Sequence, residues 1–363
     1  MLSTDAAHSL ADALGLELPA GTAGPAELDS GLHVQQVDAQ RRFERSWQQI
    51  QAYLMSVLSS AGVDPIEAEE LTMLPGAEEV LALLEVRDQV RSGRWDLVVV
   101  DCAPTAETLR LLALPEALRW YMERIFPVER RVVRTLRPVL SRAAGVPMPR
   151  DHVFDAVERL HAELAEVRAV LAGPEASVRL VLTPESVVLA EARRTWTSLS
   201  LYGYRVDGVV ANRVFPAGGD AWRRAWVTAQ QETLEDVRSS FDPLPVHRTP
   251  YEPGEPVGQE ALGALAARTY GDTDPFAAAV GPEPMQVERS GAEFVLSLAL
   301  PLAARETTDL ARVGDDLVVS VGSHRRVLAL PGALRRCTVA GAALRDGMLR
   351  VRFEPDPDQW RPL

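Results

Sequence analysis

Trp95-Asp96-Leu97-Val98-Val99-Val100-Asp101 runs without interruption into Cys102-Ala103-Pro104-Thr105-Ala106-Glu107-Thr108-Leu109-Arg110. A short apolar run that stops at a carboxylate and then meets Pro and Thr predicts a buried strand followed by a turn. Such runs recur at Ser177–Thr183, Val206–Arg213 and Leu244–His247, with longer amphipathic stretches between them. Continuous apolar strands alternating with helices predict a parallel sheet covered on both faces. Ligands of such sheets bind beyond the carboxyl ends of the strands, so Asp101 and the Asn212-Arg213 pair are the positions to watch.

Working outward, Gly31–Val37 is a candidate short strand, and a helix is expected from Asp38 past Leu58, with Phe43, Trp47, Ile50 and Leu54 at helical spacing. A second helix follows Pro75-Gly76, striped by Val80, Leu83, Leu84, Arg87 and Val90. Residues 115–171 read as a helical insertion broken near Gly145–Pro149, and helices are expected at 219–239 and 257–269. Residues 271–289 are rich in Asp, Pro and Gly and read as a linker. Beyond them, Phe294–Leu300, Leu317–Val321, Arg326–Leu330 and Met348–Phe353 are short strands joined by Gly- and Asp-containing turns. That texture predicts a small all-β sandwich over 290–356.

Composition narrows the function. The 363 residues suit one large and one small domain, and a net charge of −13 argues against nucleic acid as a partner. Cys102 and Cys337 lie far apart without C-x-x-C spacing, so neither a disulfide framework nor a zinc site is expected. No run is apolar enough to span a bilayer and no basic-then-apolar leader opens the sequence, which predicts a soluble, cytoplasmic protein.

Asp101-Cys102-Ala103-Pro104-Thr105-x-x-Thr108-Leu109-Arg110 resembles the switch II segment of the ArsA/Get family of ATPases. Ser3-Thr4-Asp5-x-Ala7-His8-Ser9-Leu10-x-Asp12 is similar to that family's switch I. Asn212-Arg213 resembles its adenine-contacting position, and Pro250–Gly258 resembles the loop that closes over the base. The segment from about 290 to 354 resembles the α-crystallin-like sandwich appended to some bacterial members. The resemblance implies a P-loop-NTPase-like α/β fold spanning 1–270, with ATP and Mg²⁺ as cofactors. It implies that Asp5 orients the attacking water, that Asp101 holds the Mg²⁺ hydration shell, and that Asn212 and Pro250 contact adenine. Thr105 and Arg213 join them as cofactor-binding positions. A hydrophobic or protein client and a homodimer are the partners it suggests.

Departures from the family pattern set further expectations. Members carry a G-K-G-G-x-G-K-[ST] loop just before switch I, and no such motif occurs in this sequence. Little or no triphosphate binding is therefore expected of the polypeptide as written, and a start at an internal Met, with the loop encoded just upstream, is the economical expectation. Ala106-Glu107 replaces Gly-His in switch II, which would weaken coupling of hydrolysis to movement. The competing class is a non-catalytic pseudo-ATPase that binds proteins in chaperone fashion. Other features take plainer readings: Arg130, Arg131, Arg134 and Arg137 as a solvated helix face, Cys102 as a buried thiol, and Trp222 with Trp226 as core. Trp120, Tyr121, Met122, Ile125 and Phe126 suit either core packing or a client groove.

Overall fold

The computed structural model describes residues 1–4, 9–16, 24–29, 31–37, 77–102, 151–277, 283–291 and 293–358. The chain divides into two compact units, Met1–Asp12 with Leu16–Val170 and Ala13–Gly15 with Leu171–Leu363. The expected helix beyond Asp38 and the insertion up to residue 150 lie outside the described residues.

The first unit holds a sheet built from β1 (Leu2–Ser3), β2 (Ala26–Asp29), β3 (Leu32–Gln36) and β4 (Val100–Asp101), in the order β2-β3-β1-β4. Central β1 pairs in parallel with both neighbours, and Leu2 and Ser3 are fully buried, as a strand covered on both faces requires. Helix α1 (Ser9–Leu14) follows β1. Helices α2 (Ala77–Arg91) and α3 (Asp151–Leu171) are joined by Arg87 and Arg91, which both reach Glu166. The α2 stripe is buried at Leu83 and Leu84 but surfaces at Val90.

The run 95–101 departs from expectation. Only Val100–Asp101 forms a ladder, and Leu97 and Val99 are exposed. The run pairs on one side, where the Leu2 N–H donates to the Val99 carbonyl, and β4 is the last strand in its sheet among the described residues. An apolar sequence suited to two neighbours has one among the described residues.

In the second unit β5 (Val178–Leu182), β6 (Val206–Val214) and β7 (Val246–Pro250) form a parallel sheet in that order. Central β6 is buried from Val206 through Ala211, which is why, apart from the ion-paired Asp207, its sequence is apolar or Gly without alternation. Helices α4 (Ser186–Tyr202), α5 (Ala221–Phe241) and α6 (Gln259–Tyr270) connect and flank these strands. The carboxy-terminal half of α4 is buried all round, because it also packs against the β-sandwich. Its buried hydroxyls are satisfied: Thr197 donates to the Pro301 carbonyl at 2.6 Å, and Ser198 meets His324 Nδ1 at 3.3 Å.

The sandwich consists of two antiparallel sheets. One is β10 (Thr308–Val313), β11 (Asp316–Val321) and β12 (His324–Ala329). The other, ordered β13-β14-β9-β8, comprises β8 (Met285–Ser290), β9 (Glu293–Ala299), β13 (Cys337–Arg345) and β14 (Met348–Pro355). Strand β14 alternates as binary patterning predicts, with Leu349, Val351 and Phe353 buried and Arg350 and Arg352 exposed. Asp346 and Gly347 turn the hairpin before it with φ of 50° and 69°, the mirror-image turn that only such residues accept readily.

Two expectations need correction here. Strand β8 occupies the carboxy-terminal end of the stretch read as linker; Met285 and Val287 are its only apolar residues, both exposed, so little in the sequence marked it as a strand. Short helix α7 (Gly332–Arg335) interrupts a stretch expected to contain no helix.

Asp207 at the start of β6 accepts from Arg179 through both carboxylate oxygens at 3.1 and 3.0 Å, and from Ser177 at 2.8 Å. Arg179 also reaches the Pro275 carbonyl and lies over the Tyr270 ring. His247 packs its ring on Tyr270. Burial first, and the Arg179 charge second, hold His247 below its usual value of 6.5 against a smaller opposing pull from Asp207. The fold therefore prefers neutral His247. Its contribution is complete above the unfolded-state value near 6.5 and is lost as pH falls from there towards the lower folded-state value. Denaturant titrations at pH 7.5 and 5.5 should show the wild type losing stability on acidification and His247→Gln losing less; equal losses would contradict this account.

Candidate functional site

Two strand-end corners carry the polar groups singled out in the sequence. At the end of β4, Asp101 stands in register with Ser3. The Ser3 hydroxyl donates to Asp101 Oδ2 at 3.0 Å, and the Thr4 amide and hydroxyl both donate to the Asp101 carbonyl, at 2.9 and 3.1 Å. The carboxylate is thus oriented with one oxygen engaged and the other left for a further partner. Cys102 beside it is exposed by surface area, not buried as expected. Desolvation of its sulfur, and then the Asp101 charge, push the thiol up to about 11, so it stays protonated and is a poor nucleophile. Asp5 and Thr105 lie outside the described residues.

The second corner forms where β6 and β7 end. Ala211 pairs with Arg248 and Val214 with Pro250, so three steps along β6 span two along β7. The resulting bulge falls on Asn212-Arg213, and Arg213 adopts φ of 57°. Bulges beside sites commonly re-aim a side chain, and here the Asn212 side chain and Arg213 come to line one cleft. Asn212 Oδ1 accepts the Arg213 N–H at 2.9 Å, which leaves the Nδ2 donors for a partner. Buried Gln230 of α5 stitches the turn, its Oε1 accepting from the Phe215 N–H at 2.8 Å and its Nε2 donating to the Arg213 carbonyl at 3.2 Å.

The facing loop is fixed just as firmly. The Tyr251 N–H donates to the Val214 carbonyl at 2.8 Å, and Arg268 of α6 pairs with Glu252 at 3.0 Å. Pro250, Pro253 and Pro256 restrict the backbone between. Gly258, at φ of 88°, begins the turn into α6. Asn212, Arg213 and Pro250 thereby meet in an open cleft of about 560 Å³, together with Tyr251, Glu252 and Glu255. Two carboxylates beside one guanidinium make this a poor cradle for phosphate and a fitting one for a neutral ring bearing hydrogen-bond acceptors.

Gln230, Phe215 and Tyr251 were not singled out in the sequence. Gln230 acts across 15 to 17 residues on backbone groups, which no local spacing encodes. Trp222 and Trp226 are not core: they are 64% and 38% exposed. Helical spacing showed that they share a face, but not that this face is open. Among the described residues no group of three or more His, Cys, Asp or Glu is placed to hold a metal ion, and no helix is long and apolar enough to cross a membrane.

Parallel sheets flanked by helices, with polar groups at their carboxyl ends, followed in the chain by an antiparallel all-β module, define an α/β protein of the P-loop NTPase type. The family model described as anion-transporting ATPase matches residues 1–271, and that of the HSP20-like domain found in ArsA matches residues 291–353. The chain belongs to the ArsA ATPase family. It is 40% identical over 363 residues to protein SCO2128 of Streptomyces coelicolor, covering 99% of this chain and 90% of the relative. It is 32% identical over 344 residues to the "Putative arsenical pump-driving ATPase 1" of Aquifex aeolicus, covering 92% and 87%. A protein of Chlorobaculum tepidum with a matching name is 33% identical over 359 residues, covering 98% and 88%.

Proposed function

We propose that this protein is of the ATPase type that binds Mg-ATP and couples its hydrolysis to a protein or anion client, with little activity in the polypeptide as written because its sequence lacks the phosphate-binding loop. The observation that carries the reading is the convergence of Asn212, Arg213 and Pro250 on one cleft beyond the carboxyl ends of β6 and β7. Asn212 and Pro250 contact the adenine base, and Arg213 lies beside it. Asp101, oriented by Ser3, holds a hydrated Mg²⁺ through water; a single carboxylate suits this ion, which keeps most of its water shell. Bound Mg²⁺ would neutralise charge on the phosphates. By the family resemblance, Asp5 would orient the attacking water and Thr105 would join the cofactor-binding residues. The anion client is suggested by the names of the relatives, and the protein client by the HSP20-like module.

A ligand at a hundred times its Kd stabilises a fold by about 2.7 kcal/mol, which moves Tm by a few degrees. Because no G-K-G-G-x-G-K-[ST] loop occurs in this sequence, Mg-ATP is expected to shift the full chain by less than this and only at high concentration, to lose the shift in Asp101→Ala, and to weaken it further in Asn212→Ala. Absence of any shift in the wild type, alongside retained binding of unfolded protein clients, would overturn the ATPase reading in favour of a non-catalytic scaffold.

A further inference from the structure

Strand β8 is unfinished on two counts. It is the last strand of its four-stranded sheet among the described residues, and all six of its residues are exposed. The Ala299 N–H donates to the Pro284 carbonyl, so by antiparallel alternation Gln286, Glu288 and Ser290 direct their backbone groups to β9. The N–H and C=O groups of Met285, Val287 and Arg289 therefore point to the open edge. The same residues carry the second deficiency. Met285 pairs with Leu298 and Val287 with Leu296, so all four lie on the face that forms the sandwich core. Leu296 and Leu298 are 1% and 0% exposed, whereas Met285 and Val287 are 39% and 41% exposed. The core cluster draws on β9, β11, β12 and β14 but on no residue of β8. The apolar face of this sheet thus runs past its cover.

Exposed edges are usually blunted by Pro, Lys or a bulge. Residues 285–290 contain neither Pro nor Lys, and their register with β9 is unbroken. We propose that the chain pairs with a second copy of itself through antiparallel β8–β8 contact, about a two-fold axis at Val287. The strand is complementary to itself in that register. Residues 285, 287 and 289 of each copy bring their free backbone groups opposite one another, with Val287 on Val287 and Met285 on Arg289. Arg289, whose guanidinium lies over the Phe294 ring, offers its aliphatic stem to Met285 of the second copy. On the outer face Gln286 stands opposite the Glu288 carboxylate, so no like charges meet. Centring on Glu288 or Arg289 would set like charge on like. Centring on Gln286 would carry residues 288–290 past the start of the other β8. Two sheets become one, and their uncovered apolar margins adjoin. The ladder is short, so the association is weak and concentration-dependent.

Sedimentation equilibrium of the full chain, with circular dichroism as the control for folding, tests the seam. The wild type is expected to pass from monomer to dimer as concentration rises through the micromolar range. Val287→Lys, which sets two ammonium groups face to face at the axis, should weaken the dimer by about tenfold or more. Val287→Pro should do the same while leaving the sheet intact, because the Val287 N–H is not used by β9. Gln286→Lys, which places an ammonium opposite Glu288 of the second copy, should tighten the dimer. A dimer of wild-type strength in both Val287 variants overturns the seam, and a Gln286→Lys dimer that is no tighter overturns the register. A wild type still monomeric at about 100 µM overturns the pairing itself. Binding of an extended apolar peptide by that monomer, lost in Val287→Pro, would then assign the edge to a client strand instead.

Discussion

Leu201→Ala is expected to destabilise the carboxy-terminal unit by about 3 kcal/mol, although the residue belongs to no strand of the sandwich. Leu201 is a helix residue of α4, wholly buried, and it packs into the cluster formed by Leu296, Leu298, Leu317, Val351 and Phe353. Truncating it removes the transfer free energy of the lost methyl groups and leaves a cavity, because the two sheets and the helix are each held by their own hydrogen bonds and cannot close on the gap. Arg326 ties the same place down, its Nη1 donating to the Leu201 carbonyl at 2.5 Å, with the residue itself 2% exposed. Val187 on the same helix is 76% exposed, so Val187→Ala should change stability by no more than about 0.5 kcal/mol. Urea denaturation of the full chain, followed by circular dichroism, measures both. A loss below about 1 kcal/mol for Leu201→Ala would mean that the sandwich is an independent module. The expected loss means that α4 completes its core.

Asp207→Ala should cost about as much, for an electrostatic reason. Arg179 and Asp207 form a two-pronged ion pair in which Asp207 is almost wholly enclosed, and Ser177 donates to that carboxylate as well. Removing the carboxylate strands the guanidinium beside the sheet and leaves the Ser177 hydroxyl without this acceptor. Loss of one member of a buried pair costs about 3–5 kcal/mol, and the lower end applies because the Arg179 side chain is 22% exposed. The double variant Arg179→Met/Asp207→Leu should recover most of the loss, since no charge is then left behind. Thermal and urea unfolding of the two variants decide the matter; equal losses in both would show that packing, not charge, holds this corner. The pair also bears on architecture, because Arg179 bonds the Pro275 carbonyl and so secures the chain just after α6.

These two sites illustrate how unevenly structure was legible. The parallel strands were legible because a strand with both faces covered carries a continuous apolar run, as β6 does over Val209-Val210-Ala211. The β14 hairpin was legible because alternation and the Asp346-Gly347 turn are local. Strands β1, β2, β8, β10 and β13 escaped notice. Strand β8 is exposed on both faces, and β13 runs through Ala340-Gly341-Ala342-Ala343, residues with little strand preference that are held by pairing to β14. Residues 95–101 were legible as an apolar run, but not that only Val100–Asp101 forms a ladder and that β4 is last in its sheet among the described residues, since such a run does not record how many neighbours it has.

The candidate site divides along the same line. Asn212, Arg213 and Pro250 were named from a family resemblance in separate segments, and the bulge in β6 together with the Val214–Pro250 pairing brings them to one cleft. Asp101 was named likewise, and Ser3 orients it only because β1 and β4 pair in register. Taken alone, the sequence determined the class of the protein: a parallel α/β domain followed by an all-β module. That follows because helix and strand periods and turn chemistry are properties of neighbouring residues. Only the tertiary structure decided that Trp222 and Trp226 face solvent, that Tyr251 is stacked beside the cleft, and that a helix residue completes the core of the sandwich. Burial and convergence depend on which distant segments lie against a residue, and that is a property of packing which local pattern does not carry.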